Sequence, residues 1–192
     1  MSTGLIIGLV IAAIVVILII VVISTYNGLV KLDERVNEAW SDITVQLKYR
    51  ADLIPNVVET VKGYAKHEKD VFEEVTKARS ASMSANNVNS AAEAERSMQG
   101  ALGRLFAIAE SYPELKANTN FQQLQLQLQD VEDKIQAARR FYNAGAKSLN
   151  TKIKTFPTNL INSMIGHFKK RDYFEVPDDE KSRIEQAPEV KF

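Results

Sequence analysis

Two kinds of hydrophobic pattern follow one another along this chain. From Leu5 to Ile23 all 19 residues are apolar or Gly, and as a helix they rise about 28 Å, close to the roughly 30 Å hydrocarbon core of a bilayer. The run predicts a membrane-spanning helix. A cleaved signal peptide would need a basic start, an apolar stretch of roughly 7–15 residues and a small-x-small cleavage site. Met1 to Gly4 carry no Lys or Arg, and Val21-Val22-Ile23 leads into bulky residues, so the segment reads as a retained anchor.

Beyond the anchor the apolar positions take up a three-four rhythm. Val36, Trp40, Ile43, Leu47, Ile54, Val57, Val61 and Tyr64 form one helical seam, and Pro55 lies inside it without shifting the phase. A kinked helix running past Pro55 is the expectation, with a turn at Pro55 as the alternative and Gly63 a plausible end. Val71, Val75 and Ala78 continue the pattern, whereas Ser80 to Ser90 is dense in Ser and Asn and predicts a loop. A third helix reads Ala91, Ala94, Met98, Leu102, Leu105 and Ile108; Gly100 and Gly103 within it suggest close approach of a neighbour. After Pro113 and Asn118-Thr119-Asn120, where Thr119 or Asn120 could cap, a last helix carries Phe121, Leu124, Leu128, Val131, Ile135, Ala138, Tyr142 and Leu149.

Four amphipathic stripes with short polar connections specify an all-α fold, a transmembrane helix followed by an antiparallel four-helix bundle. If the fourth helix returns along the first, matching large against small places Trp40 opposite Ala137 and Ala138, and Val36 opposite Phe141. The core seam Val36, Trp40, Ile43, Leu47, Arg50 and Ile54 then contains one charge. Arg50 either snorkels to the bundle surface on its long stem or forms a cationic site needing acceptors, with Gln127, Gln129 and Asp130 nearby in that register.

The chain divides into an anchor (1–24), the bundle (25–155), a short amphipathic segment (156–174) and a flexible acidic tail (175–192). If the bundle returns to the bilayer, residues after about 150 emerge near the headgroups. Phe156, Leu160, Ile161, Met164 and Ile165 make one apolar face of a short helix begun at Pro157. Lys152, Lys154, Lys169, Lys170 and Arg171 flank it, with Phe168, Tyr173 and Phe174 among them. That combination suits either an interfacial helix or a cap over the open end of the bundle. At the C-terminus Val190 and Phe192 read as part of a frayed tail, with docking onto the bundle as one alternative and, from their spacing, a partner-binding tail captured at a sheet edge as another.

Charge and composition narrow the functions. With 24 Lys and Arg against 24 Asp and Glu, the chain lacks the basic excess of a nucleic-acid binder. The absence of Cys removes disulfides, thiolate zinc sites and thiol nucleophiles. His67-Glu68-Lys69-Asp70-Val71 falls short of a zincin motif, which needs a second His at position 71. Asp178, Asp179 and Glu180 read as an acidic tail before a cation site, and no phosphate loop or nucleophile elbow is present. No cofactor, metal site or enzymatic activity is expected. Lys31 and Arg35, the cations nearest the span, place the bundle in the cytoplasm by the positive-inside rule.

The stretches TYNGLVKLDERVNEAW, LKYRADLIPNVVETVKGYAKHE, ALGRLFAIAESYPELKAN and ARRFYNAGAKSLNTKIKTFP resemble the LemA family of bacterial membrane proteins, over essentially the whole chain from Ser24 to Phe192. The resemblance implies a single-pass anchor and an antiparallel four-helix bundle, and no established enzymatic activity. It links relatives with envelope biogenesis or stress, with magnetosome formation in one lineage, and with a neighbouring membrane metalloprotease. Members with a basic N-terminus look oriented with the bundle outside, a feature from which Met1–Gly4 departs. The expected function is a membrane-anchored, non-enzymatic scaffold, adaptor or oligomeric envelope component, whose partners are the lipid bilayer and a protein, through self-association or a membrane protease. Modulation of such a protease, or presentation of its substrates, is the rival.

Overall fold

The computed structural model describes residues 2–175. Among them there are only helices and connections: α1 (Thr3–Lys62), α2 (Lys69–Ser84), α3 (Val88–Ser111), α4 (Pro113–Lys116), α5 (Thr119–Lys154) and α6 (Thr158–Ile161), followed by a π-helical turn at Asn162–Gly166. The acidic residues Asp178, Asp179 and Glu180 and the tail residues Val190 and Phe192 lie outside the described residues.

α1 is a single helix of 60 residues. It runs through Pro55 and ends before Gly63, so the three-four rhythm identified the continuous helix correctly. Two compact units share α1 and α5: residues 2–40 with 141–171, and residues 41–140 with 172–175.

In the second unit four helical segments pack antiparallel. α2 returns along α1, where the Arg79 guanidinium donates to the Ala51 carbonyl and Lys62 lies over the Phe72 ring. α3 returns along α2, joined by Arg104–Glu74, and α5 runs back along α3, with the Phe106 and Phe121 rings edge to face. The core is mainly apolar: Ile43, Leu47, Ile54, Val57 and Val61 of α1 are buried, as are Val75, Met98, Leu105, Val131 and Ile135. Each stripe of the sequence pattern supplies buried residues, although Tyr64 stays exposed and accepts a hydrogen bond from Asn118.

Several local expectations are corrected. Ser80 to Ser90 is mostly helical: α2 continues to Ser84 and α3 begins at Val88. Serine hydroxyls bond back to the preceding turn, Ser80 to the Thr76 carbonyl and Ser84 to that of Ala81, while Asn87 and Ser90 form a reciprocal capping box. Asn118, rather than Thr119 or Asn120, caps α5 by accepting from the Phe121 amide. Gly100 and Gly103 have open space where a Cβ would stand, so neither marks a close helix approach. Gly145 does: its Cβ would lie 3.4 Å from Val36 Cγ2.

That contact belongs to the first unit, where α1 and α5 meet about one helical turn away from the expected alignment. Val36 faces Gly145, and the Trp40 and Tyr142 rings pack at 6.1 Å, so neither Ala137, Ala138 nor Phe141 is the partner. Phe141 is 59% exposed. Trp40 is half-buried, and the buried position beside it is Ala39.

Candidate functional site

Each unit carries one candidate. In the first, the apolar start of α1 has nothing packed on it among the described residues: its 18-residue apolar window is 0% buried, and Leu5, Leu18 and Ile20 are more than half exposed. By length and composition this is a candidate membrane span.

The chain after α5 folds back beside α1. The Asn150 side chain clamps the Arg171 backbone from both sides, its Nδ2 donating to the carbonyl (2.8 Å) and its Oδ1 accepting from the amide (2.9 Å). The Arg171 guanidinium then donates to Asp33 at 2.8 Å and to Asn37 at 2.9 Å. Phe168 packs on Tyr26 with ring centroids 5.9 Å apart. Asn162 closes the intervening turn, donating to the Phe168 carbonyl and accepting from its amide. Gly166 lets that turn close, since a Cβ there would come within 2.6 Å of Asn162 Oδ1, and His167 takes a left-handed φ of 51°.

The residues predicted as one interfacial set therefore separate. Ile161 turns inward, Phe168 is half-buried against Tyr26, and Arg171 is committed to Asp33 and Asn37. Phe156, Leu160, Met164 and Ile165 stay exposed at 79%, 54%, 77% and 49%. Lys152, Lys154, Lys169 and Lys170 are exposed and enter no ion pair among the described residues. Phe174 is buried instead in the second unit, with the Arg139 guanidinium 4.4 Å from its ring centroid.

The second candidate is an ionic cluster around Arg50, whose side chain is 1% exposed. It does not snorkel. Its Nη1 donates to Glu95 Oε1 at 2.8 Å and to Glu132 Oε2 at 2.9 Å, and its Nη2 donates to the other Glu95 oxygen. Gln99 Nε2 donates to both carboxylates at 3.2 Å, while Arg50 Nε is buried without a hydrogen-bond partner among the described residues. Burial works against the guanidinium charge, but hydrogen bonding and attraction from Glu95, then Glu132, outweigh it and raise its pKa above the ordinary arginine value. The acceptors are thus not Gln127, Gln129 or Asp130. A signal for Glu95 was present in the sequence: Ala91, Glu95, Met98 and Leu102 keep the same three-four spacing, which puts a carboxylate on the core seam of α3 as Arg50 is on that of α1. Beside the cluster an open groove runs between α3 and α5, lined by Gln99, Leu102, Gly103, Phe106, Gln125 and Leu128 among others. His67 and His167 are exposed, and the described residues bring no three His, Asp or Glu side chains into a metal-binding group.

The fold and the uncovered apolar helix define a class, an all-helical protein with a candidate membrane span at the start of its longest helix. Residues 39–192 match the LemA family, and the chain belongs to that family. It is 30% identical over 166 residues to Protein LemA of Metamycoplasma hominis, an alignment covering 84% of this chain and 71% of the relative. It is also similar to Magnetosome protein MamQ of Magnetospirillum gryphiswaldense, 27% identical over 179 residues, covering 80% of this chain and 65% of the relative. Magnetosome protein MamQ 1 of Paramagnetospirillum magneticum is 26% identical over 180 residues, at 80% and 66%. The chain thus spans just under two-thirds of the length of these magnetosome relatives.

Proposed function

We propose that this protein is a single-pass membrane protein whose helical domain acts as a scaffold or adaptor, by binding rather than by catalysis. The observation that carries this reading is α1 itself. One uninterrupted helix begins with an uncovered apolar run of membrane-spanning length and goes on to contribute Ile43, Leu47, Ile54 and Val57 to a packed core. The buried charges favour a structural role, because Arg50 and Glu95 are engaged with one another. Surfaces suited to a protein partner remain: Val45 and Tyr49, one turn apart on α1, are 57% and 46% exposed, and the groove between α3 and α5 offers Leu102 and Phe106. Lys31 and Arg35 after the span favour a cytoplasmic domain.

A photo-crosslinking residue at Tyr49 or Phe106 of the full chain in native membranes tests the reading. A discrete protein adduct is expected. An adduct with a second copy identifies an oligomeric scaffold, one with a membrane protease assigns a regulatory role instead, and no protein adduct at either position overturns the adaptor reading. Membrane-impermeant labelling of Ser84→Cys in intact cells checks orientation; a cytoplasmic domain stays unlabelled until the cells are opened.

A further inference from the structure

We propose that the segment from Phe156 to Lys170 is a second membrane contact, a preformed wedge that enters the headgroup layer of the same bilayer that α1 spans; the proposal rests on the membrane-anchored reading above. Four large apolar side chains, Phe156, Leu160, Met164 and Ile165, are left exposed within ten residues of one another. Single exposed apolar residues need no explanation, but a cluster of this kind marks a surface that is covered in use.

Position identifies the cover. The ring contact between Phe168 and Tyr26 ties this segment to α1 three residues beyond Ile23, the last residue of the apolar run. At 1.5 Å per residue Tyr26 is about 4.5 Å past the hydrocarbon edge, within a headgroup layer roughly 5–7 Å deep. The Arg171–Asp33 pair is a further seven residues along α1, about 10 Å deeper into water. Phe168 is thus held at headgroup level, with Met164 and Ile165 only four and three residues before it in a closed turn.

Charge points to lipid as the occupant. Lys152 and Lys154 precede the apolar cluster and Lys169 and Lys170 follow it, all four exposed. A basic rim around an apolar face matches an anionic lipid surface, where each cation adds about fivefold to binding. The shape also exists before contact. Asn162 brackets Phe168 with two hydrogen bonds, and Gly166 leaves room for the Asn162 side chain and the Phe168 ring, on which a Cβ would press, so docking carries little ordering cost.

The chain contains no Cys, so a spin label on Met164→Cys reports from that site alone. The full-length protein is reconstituted in phosphatidylcholine vesicles with and without phosphatidylglycerol, alongside Ile14→Cys and Ala107→Cys. Relaxation by molecular oxygen and by a water-soluble nickel complex gives depth. With phosphatidylglycerol, the label at 164 is expected at the headgroup boundary, that at 14 in the hydrocarbon and that at 107 in water. Adding Lys152→Gln, Lys154→Gln, Lys169→Gln and Lys170→Gln should shift the label at 164 toward water, by about fivefold in the docked-to-undocked ratio per residue. A label at 164 in water while that at 14 lies in hydrocarbon overturns the wedge and leaves the anchor standing. Both in water overturns the anchored reading itself. Dipolar broadening between labels at 164 assigns the face to a second copy and also overturns the proposal.

Discussion

Arg50 and Glu95 are 45 residues apart in the chain, yet they join through two hydrogen bonds in the core, with side chains 1% and 3% exposed. Removing one partner strands the other's charge. Arg50→Met should therefore cost about 3–5 kcal/mol, whereas Arg50→Met with Glu95→Met should lie within about 2 kcal/mol of the parent, since an apolar replacement of a buried pair is close to neutral. Arg50→Lys keeps the charge but not the fork that engages both Glu95 oxygens and Glu132, and should recover less than half of the loss. Denaturant unfolding of the full chain in micelles, followed by circular dichroism, gives these values. A double variant less stable than Arg50→Met would contradict the pairing.

The pH dependence has a definite sign. The Arg50 pKa is raised in the folded protein, so its stabilising contribution is fully present below the unfolded-state value and is lost only as pH climbs through the folded one. Both lie in strong alkali. The stability difference between parent and the double variant Arg50→Met with Glu95→Met, which leaves no stranded Glu95 carboxylate, should stay flat from neutral pH to about pH 10, checked by repeating the unfolding curves across that range.

Glycine substitutions separate the tight approach from the open ones. Gly145→Leu should destabilise by about 1–3 kcal/mol through overlap with Val36, while Gly145→Ala, at ordinary contact distance, stays close to neutral. Gly100→Ala meets no neighbour and should gain about 0.5–1 kcal/mol from helix propensity. Thermal unfolding ranks the three.

These contrasts show what the sequence pattern could carry. Its three-four rhythm located α1, α3 and α5 because each buries a stripe, and it carried α1 past Pro55 because the phase of Ile54 and Val57 never slipped. It failed where the physical cause is not periodic. Ser80 to Ser84 looks like a loop in composition, yet serine hydroxyls satisfy carbonyls of the preceding turn and Ser82 is small enough to be buried. The alignment of α1 with α5 missed by about one turn because matching large against small recurs at every turn. The face after α5 was legible as amphipathic, but its division was not: that Arg171 serves Asp33 while Lys169 and Lys170 stay in solvent depends on Asn150, whose clamp has no sequence signature.

That clamp is testable. Asn150→Ala removes both hydrogen bonds to the Arg171 backbone and leaves its partly buried amide and carbonyl without these partners, a loss of about 1–3 kcal/mol. Hydrogen exchange should accelerate around residues 168–172 and change little at Met98 or Ile135. Equal acceleration at both would mean that Asn150 supports the whole fold instead.

Trp40 gives a graded expectation. Half-buried and edge-on to Tyr142, it should lose about 1–3 kcal/mol on Trp40→Ala, below the roughly 3–5 typical of a fully enclosed aromatic. Trp40→Phe should recover most of that in the same unfolding assay.

Greasy seams forgive sliding: a helix displaced by one turn finds another Leu, Val or Ala waiting where the last one was. A guanidinium held by carboxylates from two other helices forgives none, because the same slip would move Arg50 about 5.4 Å and leave buried ions facing hydrocarbon. The Arg50 cluster thus acts as a vernier on α1, α3 and α5. Its effect falls less on how tightly the native assembly is held than on how severely each near-miss assembly is penalised.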